Sequence, residues 1–205
     1  MATLVVADAD TLFGATTRGF LIHLDYQGLI RLHWSALILD EMSRALVKTG
    51  RKADRAAAAR HEILMRAALP HAEVPTMQVH SQFKAVGEAV RSAKDTHVAA
   101  CAQVVLTRRY YPDSTSVSLV THNIKDFSVR RLAALGIKVQ RPDAFFLDLF
   151  AKNAPVVVAS FAALRGTLRS NPTPNQLLRS LAADGQTKTA AAMLAWWEHG
   201  NLPPT

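Results

Sequence analysis

The stretch VVADADTLFG, residues 5–14, runs an apolar segment straight into two carboxylates, Asp8 and Asp10. Acids at the end of a buried strand are costly unless a hydrogen-bond donor or a cation compensates them. Three further acids stand where apolar patterning meets charge. Glu41, in SALILDEMSRAL, follows Leu37 by four residues and Ile38 by three, so it borders an apolar stripe, whereas Asp40 falls on the polar side. Asp95, in SAKDTHVAACAQVVL, has Ala99, Ala102 and Leu106 within about 40° on a helical wheel, which points it inward from the first turn of its helix. Asp126 lies just past an apolar run that ends in Thr121, His122 and Asn123.

Carboxylates gathered in one place repel one another and raise each other's pKa unless cations neutralise them. Hard divalent cations take oxygen ligands, and Mg²⁺ commonly combines carboxylates with water and phosphate oxygens. The set therefore suits metal-assisted chemistry. Taken singly, each acid also has an ordinary structural use. Asp8 or Asp10 can cap a helix, and Asp95 can sit at the positive end of its helix with Ser92 as capping partner. Glu41 can pair with Arg44, and Asp126 can serve a turn. Recurrence favours the chemical reading, because the acids fall at strand ends or on inward faces in four separate places.

The elements that must position them alternate. Residues 4–7 form a short continuous apolar run, the pattern of a strand buried on both faces of a parallel sheet. Helical spacing follows through Phe20, Leu21 and Leu24 and breaks at Gly28; LIRLHWS reads as a second strand. Ser35 can cap the helix that carries Glu41. The Ala-rich run RKADRAAAARHEILMRAAL is strongly helical up to Pro70, and another helix is expected from about residue 92 to 107. SVSLVTHN, VRRLAALG and IKVQRP read as strand, helix and strand. This predicts an α/β three-layer fold with its site at the C-terminal edge of the strands. From about Ala151 the alternation stops, and FAALRGTL, TPNQLLRSLAADG and KTAAAMLAWWEHG read as short helices. A boundary is expected near Phe150, dividing residues 1–150 from 151–205.

The composition, 49% hydrophobic and 20% charged, is that of an ordinary globular protein, but the formal charge of +8 favours a polyanionic partner. The lone Cys101 excludes an internal disulfide and reads as a small core residue in a cytoplasmic protein. The first residues lack the pattern of a secretory signal, and the apolar stretches read as too short to span a bilayer, so no membrane partner is expected.

Residues 3–150 resemble a PIN-domain protein through four ordered blocks: residues 8–15, SALILDEMSRAL, KDTHVAACA and VTHNIKDF. Within that superfamily the chain most resembles VapC-type toxins, the ribonuclease half of VapBC toxin–antitoxin pairs. The resemblance implies a PIN-like α/β/α nuclease domain with a central parallel sheet, a small C-terminal helical extension, and a Mg²⁺- or Mn²⁺-dependent endoribonuclease. It implies Asp8, Glu41, Asp95 and Asp126 as catalytic metal ligands, with Asp10, Thr121 and Asn123 as supporting polar residues. Asp10 stands where these proteins often carry Asn. RNA substrate (tRNA or rRNA), a cognate antitoxin and a homodimer are the implied partners.

Arg108, Arg109, Lys125, Arg130, Arg131 and Arg141 flank the acidic blocks and are candidates for holding the RNA backbone. Tyr110 and Tyr111 are candidates for stacking on an unpaired base, and His97 and His122 are expected in satisfied or solvent-facing roles. Of Trp196 and Trp197, one is expected to pack inward and the other to lie nearer solvent. Two alternatives compete. A haloacid-dehalogenase-type phosphatase would need a hydroxyl residue four positions after Asp8, where Leu12 stands. A catalytically silent PIN-like module that binds RNA or protein would leave the filled acid positions without a purpose.

Overall fold

The computed structural model describes residues 2–107, 111 and 114–199. Strand β1 (Thr3–Ala7) leads through α1 (Ala9–Phe13) and α2 (Ala15–Tyr26) to β2 (Ile30–Ser35) and α3 (Ala36–Lys48). Next come α4 (Arg55–Ala68), β3 (Glu73–Val74), α5 (Thr76–Ser81), α6 (Phe83–Val86) and α7 (Thr96–Thr107). The order closes with β4 (Val117–Val120), α8 (Val129–Ala134), β5 (Ile137–Gln140), α9 (Pro142–Thr167), α10 (Pro174–Ala183) and α11 (Thr187–Glu198).

The strands form one parallel sheet in the order β3-β2-β1-β4-β5, flanked by helices in the expected three-layer α/β/α arrangement. Val5, Val6, Ala7, Val117, Leu119 and Val120 are buried, as continuous apolar strands in a covered sheet must be. On leaving β1 the chain turns one way to β2 and later the other way to β4. The β1–β4 seam is therefore a topological switch point, the place where open α/β sheets build their sites. Asp8 and Thr121 stand on its two sides.

Helix α7 packs on β1, β2 and β4, and every residue from Val98 to Val105 is buried. A single 3₁₀ turn, Ala93–Asp95, precedes it, so the helix proper starts at Thr96, later than the expected residue 92. β3 is a two-residue strand on Trp34 and Ser35, too short to register as an apolar period.

The largest departure lies at the C-terminal side. The segment expected as a separate helix, FAALRGTL, is the end of the 26-residue α9, which begins with Pro142 in its first turn and crosses Phe150. Asn153 leaves helical geometry (φ −156°, ψ 65°) just before Pro155, whose missing N–H and bulky ring break the hydrogen-bond ladder there. The joined helix is long and apolar enough to cross a membrane by length and composition alone, contrary to the expectation from the separate runs. Its Phe145, Phe146, Leu149, Val157, Val158, Phe161 and Leu164 are nonetheless packed in the core, and Phe20 stacks on Phe146 at 4.9 Å and meets Phe161 edge-on at 5.2 Å. Trp196 and Trp197 are both half-buried against this core rather than divided between core and solvent.

Candidate functional site

Asp8 ends β1 and caps α1. Its Oδ1 accepts the Ala9 N–H at 2.6 Å, and its Oδ2 accepts the Thr121 hydroxyl at 2.9 Å from across the seam. Thr121 is fully buried at the end of β4; its single hydroxyl proton is shared with Asp10 Oδ2 at 3.2 Å, while its oxygen accepts the Asn123 N–H at 3.0 Å. Asp10 also takes the His122 N–H, at 3.0 Å to Oδ2 and 3.3 Å to Oδ1, and the Thr11 hydroxyl at 3.1 Å. The Thr11 hydroxyl in addition reaches the Val120 carbonyl at 3.0 Å. Two acids from the first strand end are thus tied to the polar residues after β4.

Burial, then the charge of Asp10 and that of Glu41, push the Asp8 carboxyl up from 3.8 to about 7, against the opposing bonds from Thr121 and Ala9. Glu41 sits on α3, which Ser35 opens by accepting the Ile38 N–H at 3.3 Å. Asp95 closes the 3₁₀ turn before α7, half-buried. Burial raises its pKa, and the charges of Asp126 and Glu41 add to that, while a hydrogen bond with Ser92 opposes them. Asp126 accepts a hydrogen bond from the Asn123 side-chain amide. Glu41 therefore lies within electrostatic reach of both Asp8 and Asp95, and Asp95 of Asp126. The four sequence blocks meet on one edge of the sheet.

His97, expected in a satisfied or solvent-facing role, is satisfied, and one of its partners is a site acid. Its Nδ1–H donates to the Lys94 carbonyl at 2.7 Å, which leaves Nε2 facing Glu41 Oε2 at 3.4 Å. Contact with His97 holds the Glu41 carboxyl below its usual range despite partial burial. Burial disfavours the charged form of His97, but Glu41, the Lys94 carbonyl and Asp8 outweigh it and raise the imidazole pKa. The helical wheel could not reveal this, because α7 is buried on all sides and its phase does not separate a site-facing residue from a core-facing one.

Of the basic candidates, Lys125 and Arg130 are exposed beyond β4, and Arg131 donates to the Glu88 carbonyl at 2.5 Å. Arg108, Arg109 and Tyr110 lie outside the described residues. Tyr111 is half-buried with its hydroxyl 3.0 Å from His33 Nε2, on the side chains of β2.

One group of residues near the site gave no sequence signal. The turn between α10 and α11 returns to the start of the chain: Asp184 Oδ2 accepts the Thr16 and Thr17 N–H groups at 2.8 and 2.9 Å. It thereby caps α2, whose own N-cap is Gly14, a residue with no side chain to do so. A Cβ at Gly14 would stand 2.7 Å from that oxygen, so the close approach requires glycine. Gly185 (φ +99°) brings the same turn against the His122 ring. Only the glycine hinted at a turn; contacts across some 168 residues leave no local pattern.

The donor chemistry fits a hard divalent cation, since the facing groups are carboxylate and hydroxyl oxygens and a cation would relieve the repulsion around Asp8. Among the described residues, however, no three His, Cys, Asp or Glu side chains are already drawn together closely enough to hold a metal ion.

Residues 142–195 match the family described as the VapC50 C-terminal domain, which supports a member of the VapC-type toxin family, as the motifs of the N-terminal part implied. A comparison with curated proteins found no match, and neither did one with solved structures.

Proposed function

We propose that this protein is a metal-dependent endoribonuclease, the toxin of a toxin–antitoxin pair, with a nuclease part over residues 1–150 and a helical extension over 151–205. The observation that carries this reading is that Asp8 and Asp10 converge on the Thr121 hydroxyl at one sheet edge, where neighbouring acids and burial raise the pKa of Asp8 and of Asp95. Folding has gathered negative charge that only cations or protons can relieve.

Asp8, Glu41, Asp95 and Asp126 would hold Mg²⁺ or Mn²⁺. Such an ion would lower the pKa of a bound water and neutralise charge on the phosphate. The chain's own residues do the positioning. Ala9 N–H and the Thr121 hydroxyl fix the two oxygens of Asp8, His122 N–H holds Asp10, and Asn123 orients Asp126. His97 favours the ionised form of Glu41. Lys125 and Arg130, both exposed, would meet the approaching RNA backbone. The reaction is hydrolysis: a water oxygen bonds to phosphorus, the bond from phosphorus to the 3′ oxygen breaks, and a proton ends on that oxygen. The expected partners are a transfer or ribosomal RNA, an antitoxin that covers the acidic edge, and a second copy of the chain.

Sequencing RNA 5′ ends after brief induction of the wild type and of Asp8→Asn tests this reading. New ends are expected with the wild type alone; ends that persist in Asp8→Asn would refute the metal-site assignment. Relief of growth arrest by the neighbouring small gene checks the antitoxin. A second reading, a silent RNA- or protein-binding module, draws on the absence of a closed three-ligand cluster among the described residues. It predicts no thermal stabilisation by Mn²⁺, whereas the nuclease reading predicts stabilisation that Asp8→Asn removes.

A further inference from the structure

We propose that the cavity between the end of β5, the start of α9 and the α10–α11 turn is a ribose-phosphate subsite for the RNA strand, built jointly by the sheet and the C-terminal helices. The proposal rests on the nuclease reading for the identity of the strand. The cavity measures about 250 Å³ and is lined by Arg141, Lys188, His122, Gln186, Gly185 and Asp143, among others. That volume suits one sugar-phosphate unit with its base outside.

Three features set its chemistry. First, two cations face one acid in the lining. Neither the Arg141 guanidinium nor the Lys188 ammonium has an ion-pair partner among the described residues. Asp143, by contrast, accepts the Lys188 N–H at 3.1 Å, the Thr189 N–H at 2.8 Å and the Thr189 hydroxyl at 2.7 Å, capping α11. The positive charge left over attracts a phosphate.

Second, Gln186 is fully buried and half satisfied. Its Nε2 donates to Thr17 Oγ1 at 3.1 Å and to the Asp184 carbonyl at 2.9 Å, and its Oε1 has no hydrogen-bond partner. Gln186 lines the cavity together with the two cations, and a ligand that brings both an anion and a donor matches that set. A ribose 2′-hydroxyl next to a phosphate is such a ligand; an acidic peptide side chain offers acceptors alone.

Third, the cavity adjoins the acid cluster. His122 lines it, and the His122 backbone N–H holds Asp10. An RNA strand with one phosphate at the acids would lay a neighbouring unit here.

The test is equilibrium binding of a short, labelled single-stranded RNA of mixed sequence, and of its DNA counterpart, to the full chain in the presence of a chelator. Variants are Arg141→Ala and Lys188→Ala, both at exposed positions, with circular dichroism to verify folding. Each is expected to weaken RNA binding roughly 5-fold at low salt and to make the slope of log affinity against log salt shallower by about 0.7. The wild type is expected to prefer RNA over DNA, and Gln186→Leu to reduce that preference; if Gln186→Leu does not fold, the salt slopes of the two exposed variants still decide. Wild-type affinity and slope in both cation variants would overturn the subsite, as would variants that lose binding to an acidic peptide but not to RNA. Binding without metal is independent of cleavage. Loss of affinity in the variants with no cutting by the wild type would keep the subsite and sink the nuclease reading, and the opposite pair of results would do the reverse.

Discussion

At Asp8, burial and two neighbouring acids act against ionisation, and the consequence for stability has a definite sign. The folded carboxyl titrates near 7 and the unfolded one near 3.8, so between those values the folded state binds more protons. Stability from this group is present below about pH 4 and is lost as pH rises through about 7, by on the order of 4 kcal/mol at most. The metal-free wild type is therefore expected to be less stable than Asp8→Asn at pH 8, with the gap closing on acidification; urea melts across pH read this directly. Thr121 works in the other direction, because its hydroxyl bond favours the ionised form of Asp8. Thr121→Val strands the Asn123 N–H and Asp8 Oδ2, at a cost of about 1–3 kcal/mol, and should move the acid limb of the cleavage–pH profile to higher pH.

Between elements, the α10–α11 turn joins the two parts of the chain by backbone capping rather than by apolar contact alone. Asp184→Ala removes the only side-chain acceptor the described structure gives to the first turn of α2, and is expected to cost about 1–2 kcal/mol in chemical denaturation. Gly185→Ala places a Cβ in the left-handed region and against the His122 ring at 3.2 Å. It should cost roughly 1–2 kcal/mol and, by displacing His122, weaken RNA binding as well.

Over the whole molecule, one contiguous apolar core runs from the sheet into the C-terminal helices. It includes Val5 and Leu119 at one end and Phe161, Leu164, Leu177 and Met193 at the other. Ending the chain after Phe150 would remove Val157, Val158, Phe161 and Leu164 and uncover Phe20 and Phe146. With about 1.5–3 kcal/mol for each buried large side chain, the shortened protein is expected to lose cooperative unfolding, as seen by circular dichroism in urea. The net charge of +8 acts at the same scale: under the proposed function it is a field that would draw RNA toward an edge whose own acids repel it.

By itself, the sequence determined the alternation of strands and helices, the buried parallel strands and the places where acids interrupt apolar patterns. These are local properties: period, the cap at Ser35 and the break at Gly28 are written within a few residues of where they act. Tertiary structure alone decided that Thr121 would bridge Asp8 and Asp10, that His97 would face Glu41, and that Asp184 and Gln186 would return to α2. Strand order and docking bring those residues together, and a contact between distant segments depends on the packing of everything between them, which leaves no period or motif in either segment.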